Sequence, residues 1–237
     1  MKIELDINKL NKFDEEVFTP QCAKLFPKPQ EPADSLFSNN FNGIRPNKRS
    51  WEDENPFWAL DRYHVYYRLL GYISTFYNNA TFAELGTRRG NATISLAFNP
   101  TNKVYTYNNV QEVIENDVFS KVENVEAFVL PSEGTTTPLG NVLDKPEHVE
   151  RLLECDLIFI DVDPHDGTHE EQFFNFLQEN NYKGVSLWDD VKFQLRSWWS
   201  SVQSRNGWNY YTLEYPYSWE EGNTGVICHG DQEFIIT

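Results

Sequence analysis

The sequence predicts a doubly wound α/β domain, a mostly parallel sheet with helices on both faces, over residues 55–237 and an irregular extension over 1–54. Three observations lead there. From residue 55 onward, short apolar segments alternate with segments of helical period, which implies βαβ units. One segment, Leu157-Ile158-Phe159-Ile160, is a continuous apolar run, as a strand buried on both faces requires. A turn with glycines at 86 and 90 joins the first of these strands to the next helix.

The elements follow in order. Residues 1 to about 50 show no sustained period and carry Pro20, Pro27, Pro29, Pro32 and Pro46, so they read as an extended arm or loop-rich cap. Trp58, Leu60, Tyr63, Val65, Tyr66, Leu69, Leu70 and Ile73 recur at helical spacing and predict a helix ending near Asn78-Asn79. Strands are then predicted over 81–85, 103–107, 125–130, 156–160 and 184–188. Helices are predicted over 91–98, 110–119, 147–153, 168–179 and 191–202. Three closing strands are expected over 208–213, 225–229 and 233–236.

Composition narrows the function classes. A net charge of -16 disfavours nucleic acid and an anionic membrane surface, because phosphate contacts need clustered Lys and Arg. No apolar stretch approaches the ~20 residues of a membrane span. The acidic, polar start is unlike a signal peptide. Cys22, Cys155 and Cys228 are three cysteines at wide spacing, neither a disulfide framework nor a zinc site. These features predict a cytoplasmic protein with a small-molecule partner, and they leave a homo-oligomer open.

The sharpest local motif is Glu84-Leu85-Gly86-Thr87-Arg88-Arg89-Gly90. Glycines at a strand-to-helix turn let the backbone approach a ligand closely. A phosphate-binding P-loop would need Lys-Ser or Lys-Thr after its last glycine, and a dinucleotide fingerprint would need three glycines; neither is present. At the second strand's end stand Asn108 and Asn109, amides able to hydrogen-bond a hydroxyl or to shape a turn. Ser132 follows the next strand and its Pro131.

A second constellation, Asp161-Val162-Asp163-Pro164-His165-Asp166-Gly167-Thr168-His169-Glu170, begins where the most apolar strand ends. The next strand ends at Asp189-Asp190. Neighbouring strands of a parallel sheet lie ~4.8 Å apart, and ligands bind outside their carboxyl ends. Asp161, Asp163, Asp189 and Asp190 should therefore converge. Crowded carboxylates need either a proton or a cation, and hard oxygen donors suit Mg²⁺, Ca²⁺ or Mn²⁺. The bland alternative is capping: Asp189-Asp190 would cap a helix from Val191, and Thr168 or Asp166 the helix before it. His165 and His169 are set apart by Pro164 and Gly167, which puts His165 in a loop. Trp198-Trp199, His148 and His229 read as structural.

The spacing acid-x-Gly-x-x-x-Gly resembles the first motif of class I S-adenosylmethionine-dependent methyltransferases. The run Ile-Asp-x-Asp-Pro-His, a helix, then a strand ending in Asp-Asp, resembles the macrocin O-methyltransferase group, as does the turn Gly222-Asn223-Thr224-Gly225. The resemblance spans roughly residues 80–230. It implies a Rossmann-like methyltransferase sheet with S-adenosylmethionine bordered by Glu84, Gly86, Arg88, Gly90, Asn108, Ser132 and Asp161. Asn108 or Asn109 stands where that family carries an acidic ribose ligand. The resemblance also implies an ion, Mg²⁺ or alternatively Ca²⁺ or Mn²⁺, on Asp161, Asp189 and Asp190. Asp161, Asp163 and His165 become catalytic candidates. The expected reaction is O-methylation of a small molecule, a sugar or natural product. Two rivals on the same scaffold are a binding module that transfers nothing and a hydroxylase-like enzyme.

Overall fold

Strand pairing organises the computed structural model, which describes residues 2–25, 65–87, 90–109, 119–130, 142–205, 207–213 and 223–236. Its strands are β1 (Lys2–Leu5), β2 (Thr81–Leu85), β3 (Lys103–Asn108), β4 (Val125–Val129), β5 (Leu157–Ile160), β6 (Val185–Trp188), β7 (Asn209–Leu213), β8 (Thr224–Cys228) and β9 (Glu233–Ile236). Seven of them form one sheet in the order β4-β3-β2-β5-β6-β8-β7. Pairing is parallel from β4 across to β6, while β8 runs antiparallel between β6 and β7. The Rossmann-like, mostly parallel sheet predicted above is what the chain forms.

Side-chain alternation divides the core between the two sheet faces. One face carries Phe82, Val104, Leu157, Phe159, Leu187 and Val226. It is covered by α1 (Ile7–Phe13), α2 (Thr19–Leu25), α3 (Val65–Ser74) and α4 (Asn91–Leu96). The other face carries Ala83, Leu85, Tyr107, Ile158, Ile160 and Ile227. It is covered by α5 (Pro146–Leu153), α6 (Thr168–Glu179) and α7 (Arg196–Gln203). Trp198 and Trp199 belong to this second core, as does Cys155. Among the described residues, no helix is long and apolar enough to cross a membrane.

Two expectations change. Residues 2–25 are regular, whereas the sequence reads as irregular there. β1 pairs in parallel with β9, 231 residues away, and α1 and α2 are joined by a π-helical turn, Asp14–Phe18. Ile3, Leu5, Leu10, Phe18 and Cys22 are buried. The ring of Phe18 lies where a Cβ on Gly71 would stand, so this glycine lets the N-terminal helices seat on α3. Asp14 fastens them further, pairing with Arg68 at 2.8 Å. The second change is α7, which begins at Arg196 instead of 191. Asp190 adopts a left-handed backbone (φ 55°), and the amides of Phe193 and Leu195 both donate to its carbonyl, making a turn where a helix was predicted.

The predicted helix over 110–119 lies outside the described residues except for Phe119, which opens a short 3-10 turn. So do Trp58, Leu60 and Tyr63 of the predicted helix ahead of α3.

Candidate functional site

Parallel pairing brings the carboxyl ends of β3, β2, β5 and β6 side by side. The turn after β2 is fastened on both sides: the Gly86 amide donates to the Tyr107 carbonyl of β3 at 2.9 Å, and the Asp161 amide donates to the Leu85 carbonyl at 2.9 Å. Gly86 has φ 103°, and a Cβ there would run into the backbone carbonyl of Asp161. A glycine here suggests room for a ligand, but the residue that follows β5 fills the space. Gly90 (φ 79°) precedes α4 and has the Phe119 ring 2.7 Å from where its Cβ would lie. The next side chain, Asn91, buries Oδ1 with no hydrogen-bond partner among the described residues. Asn108 is the last residue of β3 and Asn109 follows it, as predicted.

Glu84, expected to border a ligand, is only 1% exposed. Its Oε2 accepts hydrogen bonds from Thr93 and from Thr106, the latter at 2.5 Å. Burial raises its pKa to about 8, against the opposing pull of those hydroxyls. Arg88 and Ser132 lie outside the described residues.

Beyond β5 the chain forms a histidine-centred cluster. His165 holds a left-handed backbone (φ 52°), rare for a residue with a side chain and common at functional sites. Its Nε2 lies 3.4 Å from Asp161 Oδ1 and 3.6 Å from Asp163 Oδ1. Its Nδ1 lies 3.8 Å from Glu170 Oε1. Burial works to lower the His165 pKa, but the Asp161 hydrogen bond and the charges of Asp161, Asp190 and Glu170 together raise it above 6.5. Glu170 is itself buried. Its Oε2 accepts the Gly167 amide at 3.0 Å, which fixes the start of α6, and burial raises its pKa. The residue before α6 is Gly167, not Thr168 or Asp166; Asp166 instead accepts the Thr168 amide.

The expected ion site is corrected. Among the described residues, no three His, Cys, Asp or Glu side chains are gathered as metal donors. Asp161 and Asp189 do sit on neighbouring strand ends, the Asp189 amide donating to the Ile160 carbonyl at 3.1 Å. Yet Asp161 faces His165, Asp163 is 84% exposed, and Asp190 sits in the left-handed turn. Asp161 has the His165 ring as its neighbour at 3.4 Å, a partner that carries a positive charge when protonated. The capping alternative fails as well, because α7 starts six residues beyond Asp190 with no side-chain cap.

Sequence reasoning missed Thr87, Thr93, Thr106 and Glu170. Only Glu170 carried a signal, standing three residues beyond Gly167 at the spacing of a helix-start box. A cavity of about 260 Å³, lined by Tyr77, Asn79, Asp156 and Gln232 among others, lies at the amino ends of β2 and β5, the opposite edge from this site. His148 and His229 are packed structurally. His229 Nε2 lies 2.8 Å from Ser186 Oγ, and burial lowers its pKa to about 4.

The fold resembles solved structures. A candidate caffeoyl-CoA O-methyltransferase from Staphylococcus aureus aligns at 15% identity and a TM-score of 0.51, over 70% of this chain and 83% of that one. An O-methyltransferase from Bacillus cereus in complex with S-adenosylhomocysteine aligns at 15% identity and 0.49, over 92% and 90%. TomG from Streptomyces achromogenes, an O-methyltransferase involved in tomaymycin synthesis, aligns at 15% and 0.48, over 69% and 78%. No protein-family model matches the chain, and no curated protein matches it. At these identities the likeness shows the fold alone: a Rossmann-like, mostly parallel sheet flanked by helices.

Proposed function

We propose that the chain is an S-adenosylmethionine-dependent O-methyltransferase acting on a small acceptor, with His165 as the group that takes the acceptor's proton. One observation carries this reading. The Asp161 backbone packs against Gly86 while its carboxylate pairs with His165, so the glycine turn and the imidazole share one wall of the crevice. Open α/β sheets bind ligands at this edge.

The residues present fit the cofactor. Gly86 follows β2, Gly90 and Asn91 open α4 and Asn108 ends β3, and Asn91 Oδ1, buried with no hydrogen-bond partner among the described residues, supplies a spare acceptor. When bound, the cofactor supplies an electrophilic methyl group. The chain's own task is to align a hydroxyl with it and to remove the proton. Neutral His165 accepts that proton at a ring nitrogen, and Asp161 and Glu170 stabilise the resulting imidazolium. The resemblance to the macrocin group supports a sugar or natural product as acceptor. Asn108, uncharged where a carboxylate is expected, supports a second reading, a binding module without transfer.

Calorimetry with S-adenosylmethionine and S-adenosylhomocysteine tests both. Binding and a raised melting temperature are expected by mass action. No heat and no shift at millimolar ligand would sink the assignment, while binding without turnover on a hydroxylated-acceptor panel would favour the module.

A further inference from the structure

In the sheet register Glu84 of β2 stands directly opposite Thr106 of β3, so their side chains share one face. Thr93 of α4 covers that face. Three hydroxyls and one carboxyl oxygen meet there. Thr93 and Thr106 donate to Glu84 Oε2, and Thr87 Oγ1 lies 2.6 Å from Thr106 Oγ1. All four residues are buried, with the apolar Phe82, Val104 and Phe159 on the same face. Among the described residues Glu84 has no ion-pair partner; the charge it senses is that of Asp161, which opposes its ionisation. A carboxyl in such surroundings is costly, and core packing alone does not call for one.

The hydroxyls lead to the glycine turn. Thr87 is inside it, its carbonyl accepting the Gly90 amide at 2.6 Å. Thr93 belongs to the helix that the turn opens. We propose that Glu84 is a positioning residue: through its Oε2 acceptor it pins Thr87, by way of Thr106, and Thr93, and so sets the shape of the glycine turn without touching the ligand. The idea that this turn borders a cofactor rests on the function proposed above. A carboxylate in direct contact with a cofactor's cationic groups would act through its charge. A clamp acts through an acceptor oxygen, which an amide also provides.

The test compares Glu84→Gln, Glu84→Leu and Thr87→Val with the wild type. Two readouts are taken: exchange of the Gly86, Thr87 and Gly90 amides without ligand, and affinity for S-adenosylhomocysteine. Glu84→Gln should keep exchange and affinity within about threefold of wild type. Glu84→Leu and Thr87→Val should speed exchange at the turn tenfold or more and weaken binding by a similar factor. If Glu84→Leu does not fold, Thr87→Val and Glu84→Gln decide. Wild-type exchange in Thr87→Val, or Glu84→Gln as impaired as Glu84→Leu, would overturn the clamp. A wild type that ignores S-adenosylhomocysteine would fail the functional reading only, because the exchange readout needs no ligand.

Discussion

The glycine turn after β2 and the loop after β5 touch each other through Gly86 and Asp161, yet they solve opposite electrostatic problems. At the turn a single carboxyl, Glu84, is buried among threonine hydroxyls, and burial raises its pKa to about 8. At the loop several carboxylates surround one imidazole, and their charges raise the His165 pKa despite its burial. Both shifts run upward, but one reflects an anion deprived of water and the other a cation gaining partners. The lesson is that acidic residues near a strand end are not one kind of feature. Their neighbours decide whether they organise backbone or proton chemistry.

The largest effect is expected at the imidazole. His165→Ala should lower methyl transfer about 10²–10⁴-fold, the usual contribution of a positioned base, while leaving S-adenosylhomocysteine affinity nearly intact. In the wild type, transfer should rise with pH through a value above 6.5, because the neutral ring is the acceptor of the proton. A flat pH profile would place the base elsewhere.

Next in size is the pH dependence of stability. Glu84 is protonated in both states below pH 4.5, so its burial costs least there. The cost builds as pH rises through about 8, up to roughly 5 kcal/mol for a shift of that size. Glu84→Gln should remove this decline, making the variant more stable than wild type at pH 9 and nearly equal at pH 4. His165, also raised, adds stability that is full below pH 6.5 and is lost as pH climbs through its folded-state value. Denaturation curves of Glu84→Gln and His165→Ala across pH therefore separate the two regions. A decline that persists unchanged in Glu84→Gln would refute the buried-anion account.

Gly86→Ala comes third. Its Cβ meets the Asp161 carbonyl at a positive φ, and backbone strain of that kind costs on the order of 1–3 kcal/mol before the collision is counted. Loss of ligand binding with an unchanged melting temperature would mean that the space serves only the ligand.

The smallest effect is at Glu170. Glu170→Ala removes the acceptor of the Gly167 amide and should cost about 1–2 kcal/mol. It should also bring the His165 pKa down, since one of its anionic neighbours is lost; NMR titration of the ring checks the direction.

Local pattern made much of the fold legible. β2 and α6 stand where alternation and period put them, because both elements depend on short-range spacing and on which face meets the core. The strand-end positions of Asn108, Asp161 and Asp189 followed for the same reason. What local pattern could not carry was long-range or backbone-specific. The pairing of β1 with β9 joins the two ends of the chain, and no window of sequence contains both partners. The late start of α7 depends on the left-handed backbone of Asp190. Likewise, the sequence alone determined that carboxylates would crowd at the end of β5. Tertiary structure alone decided that a histidine four residues away would answer their charge, because the loop from Asp161 folds back on itself and brings the imidazole within 3.4 Å of the carboxylate.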